Sequence, residues 1–222
     1  MKVSAVSRTP EASLHTSKNG GLLNQGDIKN TNKSENSTGK TFDSHLQKAI
    51  QDLSPNGSKQ LRLSNLLFYT TADGPGIRHT IYTQGCIHKC IGCHNEHTHS
   101  KDGGKLYTFS EILDGLRKCK GVSGITLSGG DPLFQYPEVM GLLFEIRKCP
   151  ELKHLNIMLY TGYSWDKVLS DFGDVLKYAD SIMTERFEET LKERDLLFRG
   201  SSNQKWIDIP YYVKTGSVKE PQ

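Results

Sequence analysis

The sequence predicts an α/β protein, and more narrowly a partial, open (β/α) barrel preceded by a disordered N-terminal extension. Strand-like and helix-like segments alternate from about residue 59 onward, which is typical of a largely parallel sheet with crossover helices. The chain has 222 residues, and a complete barrel of eight βα units needs about 250. Residues 1–58 are poor in aromatic residues and rich in Ser, Thr, Asn, Lys and Gly. Such a segment cannot bury enough apolar surface to offset the entropy lost on ordering.

This composition change divides the chain into a tail, 1–58, and one folded domain, 59–222. Within the tail, residues 42–53 carry apolar side chains at near-helical spacing, at Phe42, Leu46, Ile50 and Leu53. This segment is predicted to be either an isolated amphipathic helix or a transient helical turn.

The elements of the folded domain follow from local patterns. Residues 63–69 and 79–83 are rich in β-forming side chains, and the second run leads directly into a cysteine-rich loop. Thr108 and Glu111 form the pattern of a capping box, which predicts a helix to about residue 118. The remaining predictions are strands at 124–128, 155–160 and 180–183, helices at 136–148 and from 166, and a helical turn or two at 187–191.

Composition and charge exclude several classes of partner. A net charge of +3 and the absence of long Lys/Arg runs argue against a nucleic-acid partner. No stretch approaches the ~18 apolar residues of a membrane span.

The five cysteines are an odd number and three lie in one loop, which suits a reducing compartment such as the cytoplasm better than a disulfide framework. The other two, Cys119 and Cys149, are expected to be ordinary free thiols.

The most informative motif is Cys-x3-Cys-x2-Cys, formed by Cys86, Cys90 and Cys93. Thiolates are soft anionic ligands suited to iron–sulfur clusters, and a four-iron cluster is usually held by four of them. A loop with three thiolates leaves one iron without a protein ligand. By analogy with zinc, an open position marks a catalytic rather than a structural site.

Two further motifs follow predicted strands. Residues 128–132 read Ser-Gly-Gly-Asp-Pro, and residues 160–163 read Tyr-Thr-Gly-Tyr. Ligands of α/β sheets and barrels gather at the carboxyl ends of the strands, so one pocket is expected to be lined by these turns and the cysteine loop. Gly129 and Gly130 remove side chains where backbone carbonyls would approach a ligand's ammonium group.

Together, these motifs resemble a radical S-adenosylmethionine (SAM) domain, and more narrowly the activating proteins of anaerobic ribonucleoside-triphosphate reductase. Radical SAM enzymes at large usually carry an aromatic residue where Gly92 stands, so this glycine favours the activase subgroup. The resemblance spans about residues 68–205 and rests on the stretches 73–78 (Asp-Gly-Pro-Gly-Ile-Arg), 85–95, 126–133, 160–163 and 199–204 (Arg-Gly-Ser-Ser-Asn-Gln).

The resemblance implies a function and a set of site residues. Cys86, Cys90 and Cys93 would hold a 4Fe-4S cluster, and Gly92, Cys93, His94 and Gly130 would line SAM. The enzyme would cleave SAM reductively and generate a glycyl radical on a partner, most simply the large subunit of an anaerobic ribonucleoside-triphosphate reductase. It would need an external one-electron reductant, and neither nucleic acid nor membrane is expected as a partner.

Two features depart from the family. Thr184-Glu185 stands where the family usually has Asp-Gly at a strand end, and a carboxylate there helps to shape the SAM site in related activases. The long tail is also unusual, because family members are usually compact. These departures leave two alternatives to the family pattern: a different affinity for SAM, or a different substrate.

Three alternatives remain. The same loop contains four histidines, so three cysteines and one histidine could form a structural zinc site. A radical SAM enzyme could instead act directly on a small molecule or a peptide. A protein that keeps the cluster but has lost catalysis would be a binding protein only.

Overall fold

The computed structural model describes residues 59–221, which contain one seven-stranded sheet with strand order β3-β1-β2-β4-β5-β6-β7. Four neighbouring strands, β2, β4, β5 and β6, run parallel, whereas β1 is antiparallel to β2 and β3, and β7 is antiparallel to β6. The strands are β1 (Gln60–Thr70), β2 (Arg78–Thr83), β3 (Lys105–Thr108), β4 (Gly124–Gly129), β5 (Asn156–Tyr160), β6 (Ser181–Thr184) and β7 (Lys205–Asp208).

The α-helices in the described part of the chain are α1 (Phe109–Lys118), α2 (Tyr136–Lys148), α3 (Trp165–Asp171) and α4 (Ile209–Thr215). Their starts are set by side chains that accept hydrogen bonds from free backbone N–H groups. Thr108 and Glu111 form the complete capping box of α1, and Ser164 and Asp208 cap α3 and α4. Short 3-10 helices lie at Glu96–Thr98, Pro132–Gln135, Gly173–Lys177 and Glu189–Leu191.

The hydrophobic core lies between the sheet and the helices. Because side chains alternate across a strand, Ile125 and Leu127 of β4 point to the same face as Ile157 and Leu159 of β5. All four are fully buried, in one cluster with four apolar residues of α2: Val139, Leu142, Leu143 and Ile146. The opposite face carries a smaller apolar cluster of Met158, Met183 and Trp206.

The parallel strands have a common polarity, which defines two ends of the sheet. Their amino ends are joined by Arg78, a side chain that is 1% exposed and donates to Thr126 Oγ1 and to the Ile125 and Asn156 carbonyls. Their carboxyl ends are Thr83, Gly129, Tyr160 and Thr184, and each leads into a motif identified in the sequence.

The α/β prediction is confirmed, with all five predicted strands present and the helix at 136–148 found at Tyr136–Lys148. Three short elements, β3, β7 and α4, were not predicted. The expectation of a largely parallel sheet is corrected at both edges. Residues 71–77 between β1 and β2 are too few for a crossover of about a dozen residues, so β1 must run antiparallel.

The remaining sequence predictions concern the tail, the barrel and membrane-spanning segments. The amphipathic segment 42–53 and the rest of the tail lie outside the described residues. The partial, open barrel stays a prediction. None of the helices within 59–221 is long and apolar enough to span a membrane.

Candidate active site

The cysteine loop follows β2 at the carboxyl end of the sheet. Gln84, which is 2% exposed, donates from Nε2 to the carbonyls of His97 (3.2 Å) and Ser100 (2.6 Å). The two ends of the loop are also joined directly, because Gly85 N donates to Thr98 O at 2.7 Å. The loop is therefore closed at its base by hydrogen bonds of the protein itself.

The three cysteines are free thiols of intermediate exposure. Burial raises the pKa of the Cys86 thiol, and backbone N–H groups of His88 and Lys89 act in the opposite direction. Burial also raises the pKa of Cys90, opposed by the backbone N–H groups of Phe187 and Cys90 itself. Asn95 N donates to Cys93 Sγ at 3.4 Å.

These observations fit an iron–sulfur cluster. Hydrogen bonds to the sulfurs are one of the means by which a protein tunes such a cluster. Backbone N–H groups near Cys86 and Cys90 partly offset the rise in pKa that burial causes, and Asn95 N donates to Cys93 Sγ. Among residues 59–221, no group of three or more His, Cys, Asp or Glu side chains converges to hold a single metal ion.

The Gly-Gly turn lies directly against the base of the cysteine loop. Gly130 N donates to Thr83 O at 2.9 Å and Asp131 N donates to Gly85 O at 2.8 Å. A Cβ at Gly130 would lie 2.3 Å from Gly85 O, which is backbone and has little freedom to move. Gly129 has φ +101°, and its Cβ would lie 2.7 Å from the backbone of Thr83. Both glycines are required by this close approach of two backbone segments.

The turn at 160–163 joins the same assembly through Asp131. The Thr161 hydroxyl and the Gly162 N–H both donate to the Asp131 carboxylate, at 2.9 Å and 3.0 Å to Oδ2. His88 of the cysteine loop approaches the same oxygen, with Nε2 at 2.6 Å. The structure thus brings together the three motifs that the sequence placed at strand ends.

A fourth segment, the loop after β6, covers the cysteine loop from the other side. The rings of Phe187 and His94 lie 5.8 Å apart between centroids. Gly92, at φ +72°, has no room for a side chain, because its Cβ would lie 1.9 Å from Glu189 Oε2 and 3.4 Å from the Phe187 ring. Sequence reasoning did not identify Phe187 or Glu189 as neighbours of the loop, because their contact depends on how residues 185–192 fold back.

The Arg-Gly-Ser-Ser-Asn-Gln motif supports that covering loop from behind. Gln204 accepts hydrogen bonds from the backbone of Gly200 and Ser201 through Oε1 and donates to Glu185 O at 3.3 Å. Asn203 Nδ2 donates to Arg186 O at 2.8 Å. This motif therefore acts on the site indirectly, by holding the backbone of residues 185 and 186.

Thr184 and Glu185, the two residues that differ from the family pattern, both make contacts away from the cysteine loop. Thr184 is fully buried, and its hydroxyl lies 3.5 Å from Lys205 O. Glu185 has φ +77°, the left-handed region that glycine occupies most easily. Its carboxylate turns away from the cysteine loop, accepting from Trp165 N at the start of α3 and lying 3.7 Å from Lys205 Nζ. Glu185 thus does not replace the missing aspartate at this site.

The fold and the site define an α/β iron–sulfur protein whose cluster loop lies at the carboxyl ends of parallel strands. The family model described as "4Fe-4S single cluster domain" matches residues 72–207, and the chain belongs to that family.

Similar proteins of known name identify a narrower family for this chain. The anaerobic ribonucleoside-triphosphate reductase-activating protein of Escherichia coli K12 is 34% identical over 139 residues, covering 60% of this chain and 88% of the relative. The protein of the same name from phage T4 is 35% identical, covering 60% and 85%. That of Haemophilus influenzae is 32% identical, covering 64% and 96%. The chain therefore belongs to this family of activating proteins, and its domain is of the 4Fe-4S single-cluster type.

One solved structure also aligns, QueE from Escherichia coli, with 17% identity, a TM-score of 0.37, and coverage of 50% of this chain and 57% of that one. A likeness this slight bears on neither fold nor function.

Proposed function

We propose that this protein cleaves SAM reductively and uses the product radical to generate a glycyl radical on an anaerobic ribonucleoside-triphosphate reductase. The observation that carries the proposal is the contact between the three-thiol loop and the Gly-Gly turn, where Asp131 N donates to Gly85 O at 2.8 Å. Family membership supports the choice of partner, since the relatives named above are activating proteins of that reductase.

In this proposal Cys86, Cys90 and Cys93 hold the cluster. When bound and reduced, a 4Fe-4S cluster held there would supply the one electron needed to break a sulfur–carbon bond of SAM into methionine and a 5′-deoxyadenosyl radical. That radical would become 5′-deoxyadenosine by taking a hydrogen atom from a glycine Cα of the partner. The residues of this chain position the reactants and exclude water, while the cofactors carry the chemistry.

Gly92, Cys93, His94 and Gly130 are proposed to bind SAM. The His94 ring packs against Phe187, which orients it at the edge of the loop.

The partner is proposed to dock over the cysteine loop. Ile87 and Ile91 are 53% and 84% exposed, next to Cys86 and Cys90 respectively. Apolar side chains this exposed beside a cluster are suited to a protein surface that covers it. A docked partner would keep water away from the radical while the hydrogen atom is transferred.

The remaining assignments are proposals of the same kind. The electron comes from an external one-electron reductant, and neither nucleic acid nor membrane takes part. Free thiols at the cluster site suit the cytoplasm.

We also propose that the chain divides into a tail (1–58) and one domain (59–222). The sheet of that domain is proposed to curve into a partial, open barrel.

A second candidate is a radical SAM enzyme that acts directly on a small molecule or a peptide. Thr184 favours it, because this buried hydroxyl stands where the family has a carboxylate near SAM.

The test is anaerobic reconstitution, reduction by dithionite and addition of SAM, with and without the large subunit of an anaerobic ribonucleoside-triphosphate reductase. We expect slow release of 5′-deoxyadenosine without the reductase, and a glycyl-radical signal in electron paramagnetic resonance (EPR) with it. SAM cleavage without any glycyl radical would favour the second candidate. A bound cluster with no SAM cleavage would indicate a binding protein.

A further inference from the structure

The buried carboxylate of Asp131 is the point at which the three strand-end motifs meet. Asp131 is 1% exposed. Its Oδ1 accepts from Leu133 N at 2.9 Å and from the Thr161 hydroxyl at 3.0 Å. Its Oδ2 accepts from His88 Nε2 at 2.6 Å, from the Thr161 hydroxyl at 2.9 Å and from Gly162 N at 3.0 Å. One side chain thus connects the cysteine loop, the Gly-Gly turn and the turn after β5.

This carboxylate is not available to SAM. A carboxylate offers about four lone-pair sites, and the four groups that donate to Asp131 already use them. Its position directly after Gly130 would suggest an ion pair with the ammonium group of SAM, but the geometry directs it into the protein instead.

His88 transmits the position of Asp131 to the cluster ligands. In the sequence it is midway between Cys86 and Cys90, and its side chain is 3% exposed. Its ring packs edge-on against Tyr163, with centroids 4.7 Å apart. A Cβ at Gly162 would lie 2.4 Å from the ring, so the ring lies directly against the Gly162 backbone. Because a carboxylate can only accept, Nε2 carries the hydrogen of this bond.

We propose that Asp131 is a positioning residue that fixes the cysteine loop against the Gly-Gly turn through His88, and thereby sets how tightly SAM is held beside the cluster. The proposal rests on the proposed function, because it assumes that SAM binds between these two segments. It assigns Asp131 no contact with SAM and no ligand bond to iron.

The test variant is Asp131→Asn, which keeps the size of the side chain but replaces one acceptor oxygen by a donating NH2 group. At least one of the N–H groups that face Asp131 then faces another donor. We expect the variant to bind about four irons per chain, as a thiolate-held cubic cluster requires. We expect its dissociation constant for SAM to rise tenfold or more, and the change that SAM causes in the EPR spectrum of the reduced cluster to be weakened.

A second readout needs no metal. In the metal-free full-length chain, amide hydrogen exchange in Asp131→Asn should become faster in residues 85–95 and 161–163. Exchange in β4 and β5 should stay as in the wild type, because their ladder hydrogen bonds are untouched.

The matched control is Asp180→Asn at the opposite end of the sheet. Asp180 Oδ2 accepts from Arg147 Nη2 at 2.7 Å and from Ile157 N at 2.6 Å, so it also joins separate segments. This variant should lower the melting temperature but leave the affinity for SAM and exchange in residues 85–95 unchanged.

A second test variant, His88→Phe, keeps an aromatic ring at this position and removes the hydrogen bond to Asp131. It should reproduce the loss of affinity and the local exchange, and the double variant should be little worse than either single one, because both remove the same interaction. His88→Phe also keeps the proposal testable if Asp131→Asn does not fold.

The proposal is overturned if both test variants bind SAM within twofold of the wild type. It is also overturned if exchange rises equally throughout the sheet, because Asp131 would then contribute only to general stability. A wild-type chain that binds four irons but does not cleave SAM contradicts the proposed function, whereas exchange in the metal-free chain tests Asp131 independently.

Discussion

Glu185 stands where the family usually has glycine, and its backbone conformation is strained. It has φ +77°, where a side chain crowds the backbone and glycine does not. Its own side-chain contacts are long, at 3.3 Å to Trp165 N and 3.7 Å to Lys205 Nζ. Contacts of this length offset little of the strain.

We therefore expect Glu185→Gly to be more stable than Glu185→Ala by about 1 kcal/mol, because both variants lose the same side-chain contacts and only alanine keeps the strain. Denaturant unfolding of the metal-free proteins measures the difference. Equal stability of the two variants would show that the backbone at residue 185 relaxes without cost.

The cluster assignment is tested by removing one thiol at a time. Replacing Cys86, Cys90 or Cys93 by Ala should each abolish the cluster, because each sulfur would hold a different iron. Cys119→Ala and Cys149→Ala should both keep about four irons per chain after anaerobic reconstitution. Stoichiometric zinc in the wild type, or loss of iron on changing Cys119, would contradict the assignment.

Gly130 is the residue at which the Gly-Gly turn can be probed directly. In Gly130→Ala the new methyl group would lie 2.3 Å from Gly85 O, so the turn and the cysteine loop must separate. We expect the dissociation constant for SAM to rise at least tenfold, a loss of about 1.4 kcal/mol, and iron content to fall. Gly173→Ala is the control, because no atom lies within 4 Å of its added Cβ. Normal SAM affinity in Gly130→Ala would place the ligand elsewhere.

At the scale of the elements, the strands of the parallel sheet are held in register at both ends by side chains. Asp131 joins loops at the carboxyl end, and Arg78 joins β2, β4 and β5 at the amino end. The guanidinium of Arg78 supplies five hydrogen bonds, the others going to Pro75 O and Asn156 Oδ1. The stretch 73–78 is thus a structural feature at the end of the sheet opposite the cysteine loop.

Arg78→Lys should lower the free energy of unfolding by about 2 kcal/mol or more. An ammonium group has three donors, so it cannot serve all five acceptors, two of which, Thr126 Oγ1 and Ile125 O, are buried. Iron content should stay at the wild-type level, because the change lies at the far end of the sheet. The control is Arg117→Lys on the exposed side of α1, where we expect a change within about 0.5 kcal/mol. If Arg78→Lys were equally harmless, Arg78 would not hold the strands together.

At the scale of the whole molecule, the described residues 59–221 contain every motif on which the proposed function depends. Lys59 already belongs to this unit, since its carbonyl accepts from Phe109 N at 2.8 Å and its ammonium group pairs with Glu145 at 2.7 Å. A chain that begins at Lys59 keeps both contacts and the whole of β1.

We expect a chain that begins at Lys59 to fold, take up iron and cleave SAM like the full-length protein, as measured by 5′-deoxyadenosine release after reduction. A rate more than tenfold lower, about 1.4 kcal/mol of transition-state stabilisation, would make the N-terminal residues part of the active site. Normal SAM cleavage with no glycyl radical on the reductase would instead assign them to docking.

The sequence by itself determined the chemistry of this protein. Ligand type and spacing are local properties, so the sequence was enough to propose Cys86, Cys90 and Cys93 as cluster ligands. Strong periodicity identified most strands and helices of the α/β core. The four-residue strand β7 was missed, because a run this short is compatible with either a strand or a loop.

Only the tertiary structure decided how the motifs act together. It directs the Asp131 carboxylate to His88 rather than to a ligand, folds Phe187 and Glu189 over the cysteine loop, and turns the Glu185 carboxylate away from it. These outcomes depend on contacts between residues as much as 97 positions apart in the chain, between Gly92 and Glu189. The physical reason is that a side chain's partner is set by the packing of the whole sheet and its loops, and no local pattern contains that information.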